Sequence, residues 1–295
     1  MPRVKANNIE IEYDTFGDPS SKPLLLIMGL GGQMISWEEE FCEKFVERGF
    51  FVIRFDNRDV GLSTKFDEAG EPDLPKLYMQ VATGEKIESL YTLNDMADDA
   101  VGLLDALNID KAHICGASMG GMIAQTVAYR HPSRVLSLTS IMSSTGNPDL
   151  PRPKPEAMKV LIQPRPIERE AIIDNFVNAA RLLYGTGFPF DEERARRLAI
   201  ESLDRSDYRP GYSRQLAAIL ATGNRKQNLT SITTPTLVIH GSDDPLVPPE
   251  GGKDTAEAIP GAELLIIEGM GHSIPLEVGP KVVDAITENA SKAYL

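Results

Sequence analysis

The segment Gly116-Ala117-Ser118-Met119-Gly120 sets a serine between two glycines, directly after the apolar run 112–115 and before a helix-like run, 121–129. So tight a turn between strand and helix lifts one side chain clear of the sheet, and flanking glycines remove the Cβ atoms that would clash there. Ser118 is then displayed at a helix N-terminus, where free amides and the local dipole favour developing negative charge. Taken alone, the same residues also fit a plain glycine turn whose serine caps the helix. Catalysis asks for more, because a serine hydroxyl is a weak nucleophile until a base takes its proton, and that base must be oriented by a carboxylate.

The chain has four histidines. His113 lies inside an apolar run and His131 precedes Pro132, so both read as structural. His240 ends the run 236–240 and sits near the working edge of any sheet that run joins. His272, in Gly269-Met270-Gly271-His272-Ser273 after the run 264–267, occupies a loop of the kind that displays catalytic side chains. For the carboxylate, Gly241-Ser242-Asp243-Asp244-Pro245 offers two candidates. Asp244, held by Pro245 and followed by Val247-Pro248, is the better choice; Asp243 suits capping of the turn. An oxyanion also needs two convergent backbone amides. One is Met119 N–H, and the glycine-rich bend Met28-Gly29-Leu30-Gly31-Gly32 supplies the other, assigned to Leu30 N–H. Met28, Gly29, Leu30, Trp37 and Met119 are expected to line an apolar substrate pocket.

These groups need a frame. Runs 24–28, 50–55, 112–115, 135–142 and 236–240 are nearly unbroken in apolar character, as expected of strands covered on both faces. Ile9, Ile11 and Tyr13 alternate with acidic residues after Asn7-Asn8, which predicts a half-exposed hairpin. Between the runs lie helix-period segments, clearest over 92–107, where Leu93, Met96, Ala97, Ala100, Val101, Leu104 and Leu107 form one stripe behind a Thr92/Asp95 capping box. Alternating strand and helix predicts an α/β fold, a mostly parallel sheet with right-handed crossovers. The alternation stops between about 147 and 230, which opens with Pro148, Pro151, Pro153 and Pro155 and then reads as helices over 167–183, 191–203 and 211–222. The expected organisation is a core of residues 1–146 and 231–295 with a helical cap, or lid, of residues 147–230 over the carboxyl ends of the strands, where ligands of open α/β sheets bind.

With 295 residues, 42% apolar and 25% charged, the chain can bury one large core. Its net charge of −13 repels nucleic acid and anionic membrane surfaces, so neither is expected as a partner. The longest near-apolar run, 23–28, is too short to span a bilayer. Cys42 and Cys115 make no disulfide framework, and the N-terminus lacks the apolar block of a secretory signal, so a reduced, cytoplasmic chain is expected. The histidines are dispersed and neither cysteine has a partner at ligand spacing, so no metal is expected. Gly29-Leu30-Gly31-Gly32 does not complete the dinucleotide fingerprint G-x-G-x-x-G, and no cofactor is expected.

Asp56-Asn57-Arg58-Asp59-Val60-Gly61-Leu62-Ser63 resembles the D-x-R-G-x-G-x-S loop of the α/β-hydrolase superfamily, and the elbow, acid loop and histidine loop follow in that family's chain order. The resemblance covers nearly the whole chain, including the helical insertion, which looks like the family's cap. Met28-Gly29 where many relatives have His-Gly, Asp59 where many have Gly, and Gly185-Thr186-Gly187-Phe188-Pro189-Phe190-Asp191 resemble the aclacinomycin methylesterase group of bacterial serine esterases. That resemblance implies a triad of Ser118, Asp244 and His272, oxyanion amides at Leu30 and Met119, and no cofactor. It implies hydrolysis of small to medium apolar carboxylic esters through an acyl-enzyme, with a small-molecule ester and water as partners. An aspartate at position 118 would imply epoxide hydrolase or haloalkane dehalogenase chemistry instead. Two alternatives stand beside it: a cofactor-free perhydrolase or haloperoxidase-type reaction, in which peroxide replaces water, and a ligand receptor that kept the fold without the chemistry.

Overall fold

The Asn7-Asn8 turn forms where the alternation predicts it. In the computed structural model, which describes residues 1–163 and 166–294, β1 (Arg3–Ala6) and β2 (Ile9–Phe16) are antiparallel about this turn. Both asparagines have positive φ, 45° and 65°, which asparagine tolerates better than other side-chain-bearing residues. β3 (Lys22–Ile27), α1 (Glu39–Val46) and β4 (Phe50–Phe55) follow. Next come α2 (Leu74–Thr83), α3 (Leu93–Ala106), β5 (Ala112–Ala117), α4 (Met119–Arg130) and β6 (Val135–Ile141). The sheet order is β1-β2-β4-β3-β5-β6, continued by β7 (Thr236–Gly241) and β8 (Glu263–Ile267). Every pairing from β4 through β8 is parallel. This is the α/β hydrolase architecture.

The unbroken apolar runs are explained by two cores, one on each side of the sheet. Leu25, Ile27 and Ile53 pack with α3 and α4, whereas Leu24, Leu26 and Val52 pack with α1 and the C-terminal helix. Both faces of each central strand are thus withdrawn from water, at roughly 25 cal/mol per Å² of apolar surface buried. β8 departs from the pattern because it is the edge: Glu263 and Leu264 are exposed. The capping box at α3 is present, with Asp95 Oδ2 accepting from the Thr92 amide at 2.7 Å.

Between β6 and β7 the chain is helical: α5 (Pro155–Ile162), α6 (Arg169–Leu183), α7 (Glu192–Arg205), α8 (Arg209–Thr222) and the short α9 (Lys226–Leu229). The expected helices at 167–183, 191–203 and 211–222 shift by two residues or fewer. α5 was obscured by the proline run, yet Pro155 begins it, at the one helical position where a missing N–H is harmless. α2 carries few buried residues, so its signal lay only in its ends: Asp73 accepts from Lys76 N, and Gly84 closes it at φ 71°. The chain ends with α10 (Glu250–Ala258) before β8 and α11 (Gly279–Ser291) after it. Among the described residues no helix is long and apolar enough to cross a membrane.

Candidate active site

At the end of β5, Ser118 adopts φ 57° and ψ −122°, a conformation costing of order 1–3 kcal/mol that the surroundings must impose. They do so by contact. A Cβ on Gly116 would stand 2.0 Å from Gly120 O, and one on Gly120 would stand 2.0 Å from Ile27 O. The two glycines therefore let α4 start directly against β3 and β5. Ser118 N donates to Ile141 O at 2.9 Å, pinning the elbow to β6.

The structure brings the three separated side chains together. Ser118 Oγ lies 2.9 Å from His272 Nε2, and His272 Nδ1 lies 2.6 Å from Asp244 Oδ2. The other carboxylate oxygen, Oδ1, accepts from the amides of Leu246 and Val247 at 2.9 and 2.8 Å. So Asp244 itself caps the turn assigned above to Asp243; this corrects that expectation. Asp243 instead accepts from Ser242 Oγ at 2.9 Å and from Thr186 Oγ1, because the chain direction at the end of β7 turns its carboxylate towards the inserted helices. Burial pushes the Asp244 carboxyl up, but the imidazoles of His272 and His240 beside it outweigh that and hold it well below the usual carboxylate range. His240 is completely buried, 2.8 Å from Val247 O and 3.5 Å from Asp244 Oδ2 through Nε2. It backs the acid and does not reach Ser118's side.

His113 and His131 are remote from this cluster. His113 packs between Ser137 Oγ at 2.8 Å and Tyr294 Oη at 3.2 Å, and burial lowers it to about 4. His131 lies 2.7 Å from Asp98. Cys42 and Cys115 are buried and unpaired, and burial pushes the Cys42 thiol up to about 12.

The loop after β3 forms a turn closed by Gly32 N donating to Gly29 O at 3.1 Å, with Gly31 at φ 66°. Gly29 sits so close to the elbow that its Cβ would be 3.1 Å from Ser118 Cβ. Since a trans peptide points its C=O and N–H in opposite directions, the bond accepted by Gly29 O turns Leu30 N–H out of the turn. Among the described residues the Leu30 and Met119 amides have no protein acceptor. Asn57 Nδ2 donates to Met28 O at 2.9 Å, and Asp56 accepts from Met34 N and Leu62 N, both at 2.8 Å. The Asp56–Ser63 loop is thus the brace of the glycine bend.

The inserted helices hold both loops. His272 N donates to Leu183 O at 2.6 Å and Gly271 N to Tyr184 O at 2.9 Å, while Gly187 N donates to Gly269 O at 2.9 Å. A Cβ on Gly187 would fall 2.6 Å from Gly269 Cα, so Gly185-Thr186-Gly187 packs backbone to backbone on the histidine loop. Asp59, at φ 66°, is bound by Tyr91 Oη and by Arg214 Nε, both at 2.8 Å. These partners explain an aspartate where glycine would be conformationally easier. The buried polar trio Ser213, Arg214 and Gln215 in α8 went unremarked in the sequence. Three consecutive polar residues directly before the apolar run 216–221 were the available signal.

Between the sheet edge and the helices lies a cavity of about 1060 Å³, with Ser118 and His272 at its wall. Met28, Gly29, Leu30, Trp37 and Met119 all line it. Trp37 does so while only 3% exposed, stacked on Phe41 at 5.7 Å between ring centroids. Tyr78, Met158, Phe176 and Tyr212 line it as well.

The fold and this constellation define a class, and comparison with known proteins agrees: residues 22–277 match the α/β hydrolase fold family, and the chain belongs to it. Over its full length it is similar to rhodomycin D methylesterase DnrP of Streptomyces peucetius, at 32% identity covering 99% of each chain, which bears out the resemblance to the methylesterase group. It is also 28% identical to the putative non-heme bromoperoxidase BpoC of Mycobacterium tuberculosis H37Rv, over 90% of this chain and 91% of that one. Among solved structures, the meta-cleavage product hydrolase CumD of Pseudomonas fluorescens IP01 superposes with a TM-score of 0.77 at 21% identity, covering 99% and 98% of the two chains. That likeness concerns the fold.

Proposed function

We propose that the protein is a serine carboxylic-ester hydrolase in which Ser118, His272 and Asp244 form a catalytic triad. The observation that carries this reading is the unbroken chain of contacts Ser118 Oγ to His272 Nε2 (2.9 Å) and His272 Nδ1 to Asp244 Oδ2 (2.6 Å) at the wall of an apolar cavity. His272 Nε2 accepts the serine proton as Oγ attacks the ester carbonyl. The amides of Leu30 and Met119 donate to the oxyanion, and Asp244 accepts from Nδ1–H, fixing the tautomer and stabilising the imidazolium. Collapse breaks the bond to the alcohol oxygen, which leaves with the proton from His272. Water, activated by the same imidazole, then releases the acid and restores Ser118.

Residues 147–230 act as a cap that closes the cavity and sets substrate size. A volume of about 1060 Å³ is near the upper end of the ~300–1,000 Å³ usual for small-molecule sites, so the cavity has room for an ester with a bulky acid as well as for the small to medium esters expected from the sequence. The full-length similarity to a methylesterase favours a methyl ester of a bulky, apolar acid. The test is hydrolysis of p-nitrophenyl esters from two to twelve carbons, alongside methyl esters of fused-ring acids. Burst kinetics are expected with the activated esters, and Ser118→Ala should lower kcat by about a millionfold. A Ser118→Ala variant with undiminished turnover would overturn the proposal.

The similarity to a putative bromoperoxidase favours one second reading, in which peroxide intercepts the acyl-enzyme. Peracid formed from acetate and peroxide faster than esters are hydrolysed would make that the main activity.

A further inference from the structure

We propose that Gln215, on cap helix α8, is a positioning residue that couples seating of the cap to assembly of the oxyanion hole. The inference rests on the serine-hydrolase reading above and deepens it. Gln215 is completely buried. Its Oε1 accepts from Gly31 N at 2.8 Å and its Nε2 donates to Arg58 O at 2.8 Å. One side chain therefore joins the glycine bend to the loop that braces it, and does so from the cap.

The bond falls on the peptide that matters. In the turn Gly29-Leu30-Gly31-Gly32, the end peptides are fixed by Gly32 N donating to Gly29 O. The central peptide, between Leu30 and Gly31, is the one free to flip between turn types, and with glycine at the third position either orientation is sterically open. Gln215 Oε1 selects the orientation that points Gly31 N–H at the cap. The Leu30 N–H belongs to the preceding peptide, whose direction is fixed through Gly29 O, so Gln215 acts on it by anchoring the bend as a whole between α8 and the loop at Arg58. Without that acceptor the partly buried Gly31 amide is satisfied only by water or by turning away, and the bend that carries the Leu30 amide loses its anchor on the cap. Gln215 touches no reacting atom.

Its neighbours fix Gln215 in turn. Arg214, adjacent on α8, pairs with the left-handed Asp59 through two bonds of 2.8 Å, both partners being almost fully buried. Gly211, one turn earlier, lies where a Cβ would be 1.8 Å from Asp59 O. A second clamp acts from α7: Gln33 Nε2 donates to Ser206 O at 3.0 Å, and Arg205 Nη1 donates to Gln33 Oε1 at 2.7 Å. A cap that lifted at α7 and α8 would thus remove the acceptor from the bend as it opened the cavity, leaving the anion site unformed while α6 still held the histidine loop. An open-cap enzyme would then be slow to attack solvent-delivered esters, whereas a closed one is competent.

The experiment uses the full chain and compares wild type with Gln215→Met, which keeps the length without the acceptor, and Gln215→Glu, which restores an acceptor for Gly31 N–H. Steady-state hydrolysis of a p-nitrophenyl ester is measured with inhibition by phenylboronic acid, which forms a tetrahedral serine adduct, and by the product acid. In Gln215→Met, kcat should fall tenfold or more with KM within twofold. Its boronate Ki should rise by the same factor as kcat/KM falls while the product Ki holds, and Gln215→Glu, which accepts from Gly31 N–H but cannot donate to Arg58 O, should regain part of kcat. An unchanged kcat in Gln215→Met, a change confined to KM, or equal losses in the Met and Glu variants would each overturn the inference. Should Gln215→Met not fold, hydrogen exchange of the wild-type Gly31 amide decides: slow exchange supports the bond to Gln215, and exchange at the solvent rate overturns it. Failure of the underlying reading has a separate signature, a wild type that neither hydrolyses the ester nor forms the boronate adduct.

Discussion

Replacing Asp244 by asparagine changes one group and two properties of the site. The Oδ1 position accepts from Leu246 N and Val247 N, so the single carbonyl oxygen of an asparagine is drawn there and its NH₂ is turned to His272 Nδ1. An NH₂ can only donate, so Nδ1 becomes the acceptor and the ring proton moves to Nε2, where it opposes rather than accepts the Ser118 proton. The variant also loses the charge that stabilises the imidazolium. At about 4 Å between charge centres and an effective dielectric of about 20, that interaction is about 4 kcal/mol, roughly a thousandfold in rate. With the inverted tautomer added, kcat should fall about 10⁴-fold, equivalent to about 5.5 kcal/mol. The assay is stopped-flow hydrolysis of a p-nitrophenyl ester, with circular dichroism to confirm the fold. Asp243→Asn is the matched control, since among the described residues the Asp243 carboxylate bonds only Ser242 and Thr186, and should stay within about threefold of wild type. An Asp244→Asn enzyme within tenfold of wild type, or equal losses at both positions, would refute the reasoning.

Gly120→Ala should be among the most damaging single-methyl additions in the chain, because its Cβ would meet Ile27 O at 2.0 Å and Met28 O at 2.8 Å. A loss of about 3 kcal/mol or more is expected in denaturant titration, the upper end for overpacking, with Ser118 labelling by a fluorophosphonate impaired in whatever remains folded. His113 governs acid stability between the usual imidazole range and about 4. Because the folded state holds this ring neutral, the unfolded chain binds the extra proton, so stability is full above pH ~6.5 and falls by about 3 kcal/mol as pH drops to ~4. Urea midpoints at pH 7 and 4.5 should show that fall in wild type and a smaller one in His113→Gln; identical falls would rule His113 out as the cause. Asp244, held below the usual carboxylate range, adds a further loss only at still lower pH.

The inserted helices are more than a cover. Leu183 and Tyr184 at the end of α6 accept the amides of His272 and Gly271, and Gln215 on α8 accepts the amide of Gly31. The proposed base and the proposed anion site both lean on residues far away in the chain, so truncating residues 147–230 should destroy ester hydrolysis even if the sheet survives.

Local chemistry that depends on near neighbours was readable in the residues themselves. Buried parallel strands carry unbroken apolar runs because both faces are covered, the elbow needs its glycines because Gly116 and Gly120 touch backbone, and Thr92 with Asp95 caps α3 whatever surrounds it. The positions of Ser118, Asp244 and His272 after β5, β7 and β8 followed from the same alternation. The folded chain alone decided what depends on distant partners. Asp244 rather than Asp243 took the turn amides because the exit of β7 aims one carboxylate inward and the other at Thr186. Gln215 and Arg214 became supports because packing placed them against Gly31 and Asp59, contacts that span 184 and 155 residues and leave no periodic trace in sequence. Periodicity records which face of an element is buried; it does not record which polar group on another element waits there.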